Sequence, residues 1–406
     1  MSKKRVYTFK EADYRNRKLL GGKGAGLAMM TQLGLPVPPG FVITTEVCKE
    51  FYESGKRLPD GVMEEVAQAM KYIEQETGRK FGDPNKPLLV SVRSGAPISM
   101  PGMMDTVLNL GINDRIVEGL AREMGERAAY DIYRRFLQMF GKIVLKIDEK
   151  LFDKAFEEIK EKYGAKTDAE VPAEGMKDVV REFKRIIKEN YGEVPEDPWK
   201  QLEMAIKAVF ESWNNPRAVY YRKINKITPD IADGTAVNVV AMVFGNVSED
   251  SATGVVFTRD PATGENKLYG EYLPMAQGED VVAGIRTPKS IDDMKREMPA
   301  LYKQLYEAGK KLEKIKREVQ DIEFTIERGK LYFLQTRDGK MTPLARVKTA
   351  VDMAKEGIIT REEAVLKVKP EHIVQLLYPR IDPKVKATPV AKGLPSSPGA
   401  VSGKVV

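Results

Sequence analysis

The hydrophobic pattern changes period repeatedly along the chain, and each change marks a predicted element. Leu19 to Gly26 reads LLGGKGAG and runs into LAMMTQLG, a short amphipathic helix ended by Gly34, before LPVPPGFVIT turns into a strand. Thr45 to Thr77 keeps a helical period, interrupted at Leu58-Pro59-Asp60-Gly61. Leu88 to Val92 is a run of five apolar or small residues behind Asn85-Lys86-Pro87, the pattern of a short buried strand. From Asn113 to about Tyr191 the chain is helical and charged, with apolar positions such as Ile132, Phe136, Leu137 and Phe140. Asp197 to Trp213 is a further helix, stopped by Asn214-Asn215-Pro216. A second β-rich region begins near Gly234, with strands predicted in AVNVVAMVFGN, SATGVVFTRDP and KLYGEYL, then a charged helix from Lys310 to Glu318. Thr342 to Tyr378 reads as short helices, one capped at Thr360. Pro379 to Pro395 reads as a linker, and SSPGAVSGKVV as the first strand of a further domain.

The stretch Leu88 to Gly111 (LLVSVRSGAPISMPGMMDTVLNLG) carries the first candidate chemistry. Arg93 ends the buried strand. The loop after it holds Gly95 and Gly102, Pro97 and Pro101, Ser94 and Ser99, and a cluster of Met100, Met103 and Met104. An arginine beside a loop that permits close backbone approach suits an anion. Methionines around a Pro-Gly turn offer soft apolar contact. A flat ring joined to a polyphosphate needs both, so this stretch reads as half of a nucleotide site. Upstream, glycines 21, 22, 24 and 26 flank Lys23 just before a helix start, where free amides and a lysine form an anion cradle. The same pattern fits a flexible connector with a solvated lysine, and it is not a Walker A loop, because no Ser or Thr follows Lys23. Arg134 or Arg135, in the packed-helix pattern YDIYRRFLQMF, could also reach phosphates.

The second informative stretch is QDIEFTIERGKLYFLQTRDGK. Ile322, Phe324 and Ile326 alternate with Asp321, Glu323 and Thr325, leaving Asp321 and Glu323 on one side with Cα atoms roughly 7 Å apart. Glu327-Arg328-Gly329-Lys330 predicts a hairpin. Keeping Tyr332 and Leu334 on the apolar face requires an odd-length loop with Gly329 in the left-handed region. Gln335 and Arg337 then join Asp321 and Glu323, a set that suits Mg²⁺ and phosphate, since hard cations take oxygen ligands and bridge to phosphates. A solvated hairpin face with an ordinary Arg–carboxylate pair fits the same pattern.

Composition narrows the classes. With 406 residues, 31% charged and 42% hydrophobic, the chain is globular and large enough for two to four domains. Its net charge of +7 is spread over 66 basic and 59 acidic residues without an arginine-rich tract, which favours anionic ligands over nucleic acid. The abundance of Lys and Glu also fits a heat-adapted source. Cys48 is the only cysteine, excluding an internal disulfide and Cys-based zinc sites. His372 is the only histidine; its KPEHIVQLL context suits a structural role, which removes Ser-His-Asp and Cys-His catalysis within this chain. No stretch approaches a membrane span and the start has no signal-like apolar region, so a cytoplasmic, non-membrane protein is expected.

GGKGAGLAMM, SVRSGAPISMPGMMDTVLNLG, MVFGN and QDIEFTIERGKLYFLQTR together resemble the pyruvate, phosphate dikinase family, and the resemblance runs through essentially the whole chain. It implies an α+β, ATP-grasp-like fold of two β-rich lobes with a large helical insertion. Its implied divisions are a first lobe at 1–112, an insertion at 113–198, a second lobe at 199–340, a helical linker at 341–388 and the start of a phosphohistidine domain at 389–406. It implies that Lys23 and Arg93 clamp phosphates, that Glu323 and Gln335 contact magnesium and phosphate with Asp321 supporting them, and that Arg337 lies beside them as a further catalytic residue. Met103 would border adenine, and the Met242-Val243 backbone would form the adenine edge. ATP is the implied substrate and Mg²⁺ the cofactor. The family passes the β,γ-diphosphate of ATP to a histidine on a separate domain, releases AMP, and finally phosphorylates pyruvate. The histidine's Gly-Gly…Thr-Ser-His run is absent here, so this fragment is expected to bind ATP and Mg²⁺ without completing a turnover. A monomeric fragment of a homodimeric enzyme is expected. Competing expectations are the nucleotide-binding part of a phosphoenolpyruvate synthase, a non-catalytic adenine-nucleotide module, and an RNA-binding protein motivated by charge alone.

Overall fold

The computed structural model describes residues 4–283 and 286–377, with residues 385, 388, 390–391 and 402–404 of the tail. The expected linker and the strand expected in SSPGAVSGKVV therefore lie almost wholly outside the described residues. The elements alternate between helix and largely antiparallel sheet, an α+β arrangement.

In chain order the structure opens with β1 (Val6–Thr8), α1 (Arg17–Gln32), β2 (Gly40–Ile43), α2 (Thr45–Glu53) and α3 (Val62–Thr77). A short parallel pair, β3 (Lys80–Phe81) and β4 (Pro87–Leu88), precedes β5 (Val90–Gly95) and β6 (Thr106–Leu110). The charged helical stretch is α4 (Asp114–Met124), α5 (Glu126–Ile143), α6 (Glu149–Lys162) and α7 (Ala173–Asn190), followed by α8 (Pro198–Glu211). Asn113, Asp148 and Asp197 accept from amides in the first turns of α4, α6 and α8, satisfying donors that a helix start leaves free. Asn214-Asn215-Pro216 does more than stop a helix: Pro216 starts α9 (Pro216–Ile224), because a first-turn proline gives up an amide that lacks a partner anyway. Then come β7 (Ala236–Ala241), β8 (Ala252–Phe257), β9 (Tyr269–Pro274), α10 (Gly278–Ala283), β10 (Lys289–Ser290), α11 (Ile291–Glu297), α12 (Pro299–Lys316), β11 (Gln320–Glu327) and β12 (Lys330–Asp338). Three helices finish the described chain: α13 (Pro343–Lys355), α14 (Arg361–Lys367) and α15 (Pro370–Leu376).

One five-stranded sheet has the order β1-β2-β7-β5-β6 and the other β10-β9-β8-β11-β12. β7 occupies the centre of the first sheet, although some 125 residues separate it from β6 in sequence; all six of its residues are buried. Its antiparallel register places Asn238 opposite Arg93 on β5 and opposite Val42 on β2.

The chain divides into two compact units. The first comprises Met1–Thr253, Pro274–Thr287 and Phe324–Gln335, and the second Gly254–Leu273, Pro288–Glu323 and Thr336–Val406. In the first, a continuous core runs from Phe41 and Val90 through Phe136, Phe140, Phe183 and Phe210. α5 also carries a buried ion cluster. The Asp131 carboxylate accepts from Arg134 Nε at 2.8 Å and Arg135 Nε at 3.1 Å, and Arg135 reaches Asp280 at 2.9 and 3.3 Å. Arg134 also bonds Asp168 at 3.2 Å and lies over the Phe156 ring. Both arginines are thus held by carboxylates. In the second unit, Arg259 is fully buried against Glu313 and bonds Glu356 at 3.0 and 2.6 Å. A smaller core there joins Val319, Met353 and Ile359.

His372 Nδ1 accepts from the Lys369 amide at 3.1 Å and so caps α15, in keeping with a structural role. Cys48 is buried, and burial pushes its thiol up to about 12, so it is a packing residue. No helix among the described residues is long and apolar enough to cross a membrane.

Burial would raise the pKa of Asp131, but the charges of Arg135 and Arg134 outweigh it and hold the carboxyl down to about 2. Its stabilising contribution is therefore complete above about pH 4 and is lost as pH falls toward 2. Asp131→Asn should destabilise the chain by about 3 kcal/mol near neutrality, because it leaves buried arginines undercompensated. The deficit in thermal unfolding should shrink in acid; a deficit independent of pH would contradict the assignment.

Candidate functional site

α1 starts at Arg17, earlier than the sequence pattern indicates, with Asn16 capping it through Leu19 N–H. The glycine run therefore lies inside the helix, at a kink where Gly21 takes φ 69° and ψ 166°. This corrects the free-amide cradle expected there, since the Gly22 amide is committed to the Ala96 carbonyl at 2.8 Å. The glycines serve close approach instead. A Cβ at Gly21 would overlap the Gly95 carbonyl oxygen, and one at Gly24 would lie 2.8 Å from Asn238 Oδ1 and 2.9 Å from Val42. Arg17 adds a bond from Nε to the Pro97 carbonyl at 2.8 Å. Lys23 is thereby brought to the end of β5: its Cβ is 3.3 Å from where a Cβ of Gly95 would stand, two residues beyond Arg93.

Asn238 is a site-adjacent residue that the sequence reading passed over. It is fully buried, donates from Nδ2 to the Arg93 carbonyl at 3.4 Å, and its Oδ1 is buried without a hydrogen-bond partner. The available signal was a single amide in the apolar strand AVNVVA, which packing alone does not call for.

The loop after β5 is fixed by its backbone. Met100 is buried in the first core, Met103 and Met104 pack against that core, and the Met103 amide bonds the Met100 carbonyl at 3.2 Å around Gly102, whose φ is 70°. Asp105 at its far end accepts from Asn215 at 3.1 Å. The Met242-Val243 segment leaves β7 with the Met242 amide bonded to the Leu89 carbonyl at 2.9 Å. Both residues line a cavity of about 460 Å³, together with Pro36, Pro38, Tyr72, Phe244 and Tyr332. Lys23, Arg93 and Met103 do not line it.

The hairpin differs from the sequence expectation. β11 ends at Glu327 and β12 begins at Lys330, so the loop is the two residues Arg328 and Gly329, with φ of 49° and 71°. Positive φ at both positions marks a turn whose twist matches the strands it joins. The predicted left-handed Gly329 holds, but the odd-length loop does not. LYFL is apolar at every position, so its alternation is ambiguous from sequence; Leu331 and Phe333 take the buried face while Tyr332 and Leu334 are half-buried. The alternation then slips before Thr336, which is buried and bonds Gln320 Oε1 at 2.9 Å. That slip puts Arg337 on the side of Asp321, and Arg337 Nε donates to Asp321 Oδ2 at 2.7 Å.

Within the second unit, Asp321 is buried and Glu323 half-buried. Burial raises the Asp321 pKa, the Glu323 charge adds to this, and Arg337 opposes it. Asp321 Oδ1 is buried without a hydrogen-bond partner. Gln335, in the first unit, is half-buried. Among the described residues no group of three or more His, Cys, Asp or Glu side chains could hold a metal alone. A hard cation that shares its shell with phosphate oxygens needs just one or two carboxylates, and the unpartnered Asp321 oxygen beside Glu323 fits such a cation.

Comparison with known proteins gives the family directly. The model for the AMP/ATP-binding domain of pyruvate phosphate dikinase matches residues 17–60 and 54–305. The chain belongs to this family. It is 55% identical over 406 residues to the pyruvate, phosphate dikinase of Entamoeba histolytica, covering 99% of this chain and 46% of that protein. It is 52% identical over 405 residues to the Clostridium symbiosum dikinase, covering 98% of this chain and 46% of the relative. With the chloroplastic pyruvate, phosphate dikinase 1 of Arabidopsis thaliana it shares 52% over 413 residues, 100% of this chain and 43% of that protein. The chain thus spans less than half the length of these dikinases.

As a dikinase AMP/ATP-binding domain, the chain depends on the close docking of α1 on β5. Gly21→Ala combines a positive φ with overlap on backbone atoms and should cost about 3 kcal/mol in chemical denaturation. Gly34→Ala also sits at positive φ, 75°, but meets nothing within 4 Å, and should cost clearly less. Equal losses would refute the packing role.

Proposed function

We propose that this chain is the part of a pyruvate, phosphate dikinase that binds ATP with Mg²⁺, and that its two sheets form an ATP-grasp-like fold. The whole polypeptide would convert ATP, phosphate and pyruvate into phosphoenolpyruvate, AMP and diphosphate through a phosphohistidine on another domain. The observation that carries the reading is the family match across residues 17–305, in a chain with about half its residues identical to those of named dikinases.

The residues supply a coherent chemistry for ATP. Lys23 and Arg93 place positive charge against the phosphates, where negative charge develops as the bond at the β-phosphorus breaks. Gln335 would contact phosphate, and Asp321 and Glu323 would hold Mg²⁺. When bound, that ion supplies charge neutralisation and orientation of the phosphate oxygens. Arg337 opposes the burial penalty on the Asp321 carboxylate and aims it through their 2.7 Å bond, and its guanidinium is itself a phosphate donor. Met103 would lie along the adenine, with the Met242-Val243 backbone at its polar edge. Chemistry at the β-phosphorus requires these groups to exclude water and fix the reacting oxygens.

Calorimetric titration with MgATP tests this reading. Arg93→Ala should weaken binding by about 2–4 kcal/mol through loss of a charge-assisted contact. Binding unchanged in that variant would remove Arg93 from the site. Because the folded Asp321 carboxyl titrates above its ordinary range, protons should compete with Mg²⁺ at a higher pH than for a normal aspartate. Direct Mg²⁺ titration should show affinity rising with pH through that range, and Asp321→Asn should flatten the profile. A wild-type profile without pH dependence there would exclude Asp321 as a ligand.

A further inference from the structure

The hairpin tip reaches back to the segment that leaves β7. Glu327, the last residue of β11, accepts from the Phe244 amide through Oε2 at 2.7 Å. The next residues bind the same connection: the Arg328 amide donates to Ser251 Oγ at 3.0 Å and the Gly329 amide to the Asp250 carbonyl at 3.2 Å. All these groups belong to the first unit. Arg328 Nη2 also bonds the Glu123 carbonyl at 3.2 Å, and Arg79 is bidentate on the Glu123 carboxylate. Glu327 is held on a braced turn.

The Phe244 N–H and the Val243 C=O belong to one planar peptide unit and point in opposite directions when that bond is trans; no cis bond occurs among the described residues. A hydrogen bond from the amide to Glu327 therefore fixes where the Val243 carbonyl points. On the N-terminal side, the Met242–Leu89 bond of 2.9 Å fixes the peptide between Ala241 and Met242. The two bonds bracket Met242-Val243. Burial, with the nearby Glu123 charge, raises the Glu327 pKa, while the bond from the Phe244 amide and the charges of Arg79 and Arg328 oppose that shift.

We propose that Glu327 is a positioning residue for base selection: through the Phe244 amide it aims the Val243 carbonyl at the exocyclic amine of adenine. This rests on the nucleotide-binding function proposed above. A carbonyl so aimed accepts from the 6-amino group and meets the 6-oxo group of hypoxanthine or guanine acceptor to acceptor. Loss of the latch frees the peptide to rotate, and discrimination falls while the phosphate contacts persist.

The experiment is calorimetric titration of the 406-residue chain with MgATP and MgITP, which differ at position 6 of the base. The wild type should prefer ATP by about tenfold or more. Glu327→Ala should bring the ratio close to one, mainly by weakening ATP, with ITP affinity little changed. Glu327→Gln keeps an acceptor of the same reach and should restore most of the preference. Glu327→Asp, one methylene shorter, should behave like the alanine variant and tests the idea independently if Glu327→Ala does not fold. Equal weakening of both nucleotides, or an unchanged ratio in either shortened variant, would overturn the positioning role while leaving nucleotide binding intact. A wild type that binds both alike would overturn it through the adenine edge, whereas a chain that binds neither would overturn the proposed function itself.

Discussion

The contact between α1 and the first sheet sets what the rest of the site can be. Helix and strand approach so closely that Gly21 and Gly95 meet backbone to backbone, and Gly24 rests on Asn238 and Val42. Side chains there would force the elements apart. Because Lys23 sits between two of these glycines, the same packing carries its side chain to the strand that ends in Arg93-Ser94-Gly95. Two cations are concentrated near one strand end by steric fit, without any attraction between them.

Charge is handled differently in the scaffold and near the site. Asp131, Arg134 and Arg135 satisfy one another with Asp168 and Asp280, and Arg259 is enclosed by Glu313 and Glu356. Removing a partner from such clusters costs several kcal/mol, which makes them structural anchors. Asn238 and Asp321 differ: each keeps one buried oxygen without a hydrogen-bond partner. Leaving buried polar atoms unsatisfied costs free energy, and positions where a fold tolerates this are candidates for completion by a ligand. Asp321 adds a carboxyl whose pKa is raised by burial and by Glu323, so a cation bound there would offset a cost already present.

Much of this was legible in the chain. Helical periods located α2 to α8, with Asn113, Asp148 and Asp197 capping α4, α6 and α8, and the strand before Arg93 followed from its bounded apolar run. Helix boundaries are written locally, in caps and turn residues. Errors arose where local signals were degenerate. The glycines of LLGGKGAG fit an anion cradle as well as a packing face, and LYFL fits either hairpin register. The amide in AVNVVA stood out as a lone polar residue in an apolar strand, but nothing local named its partner.

The sequence by itself determined the succession of helical and β-rich stretches, most helices, the structural standing of His372, and the residue types suited to a polyphosphate and a hard cation. These depend on side-chain chemistry and short-range periodicity. Tertiary structure decided that β7 lies at the centre of the first sheet, that Gly21 and Gly24 are contact surfaces, and that a two-residue turn followed by a slip in alternation pairs Arg337 with Asp321. It also decided that Glu327 closes on Phe244. Such outcomes turn on strand register and on approach distances between segments remote in sequence, which no local pattern encodes.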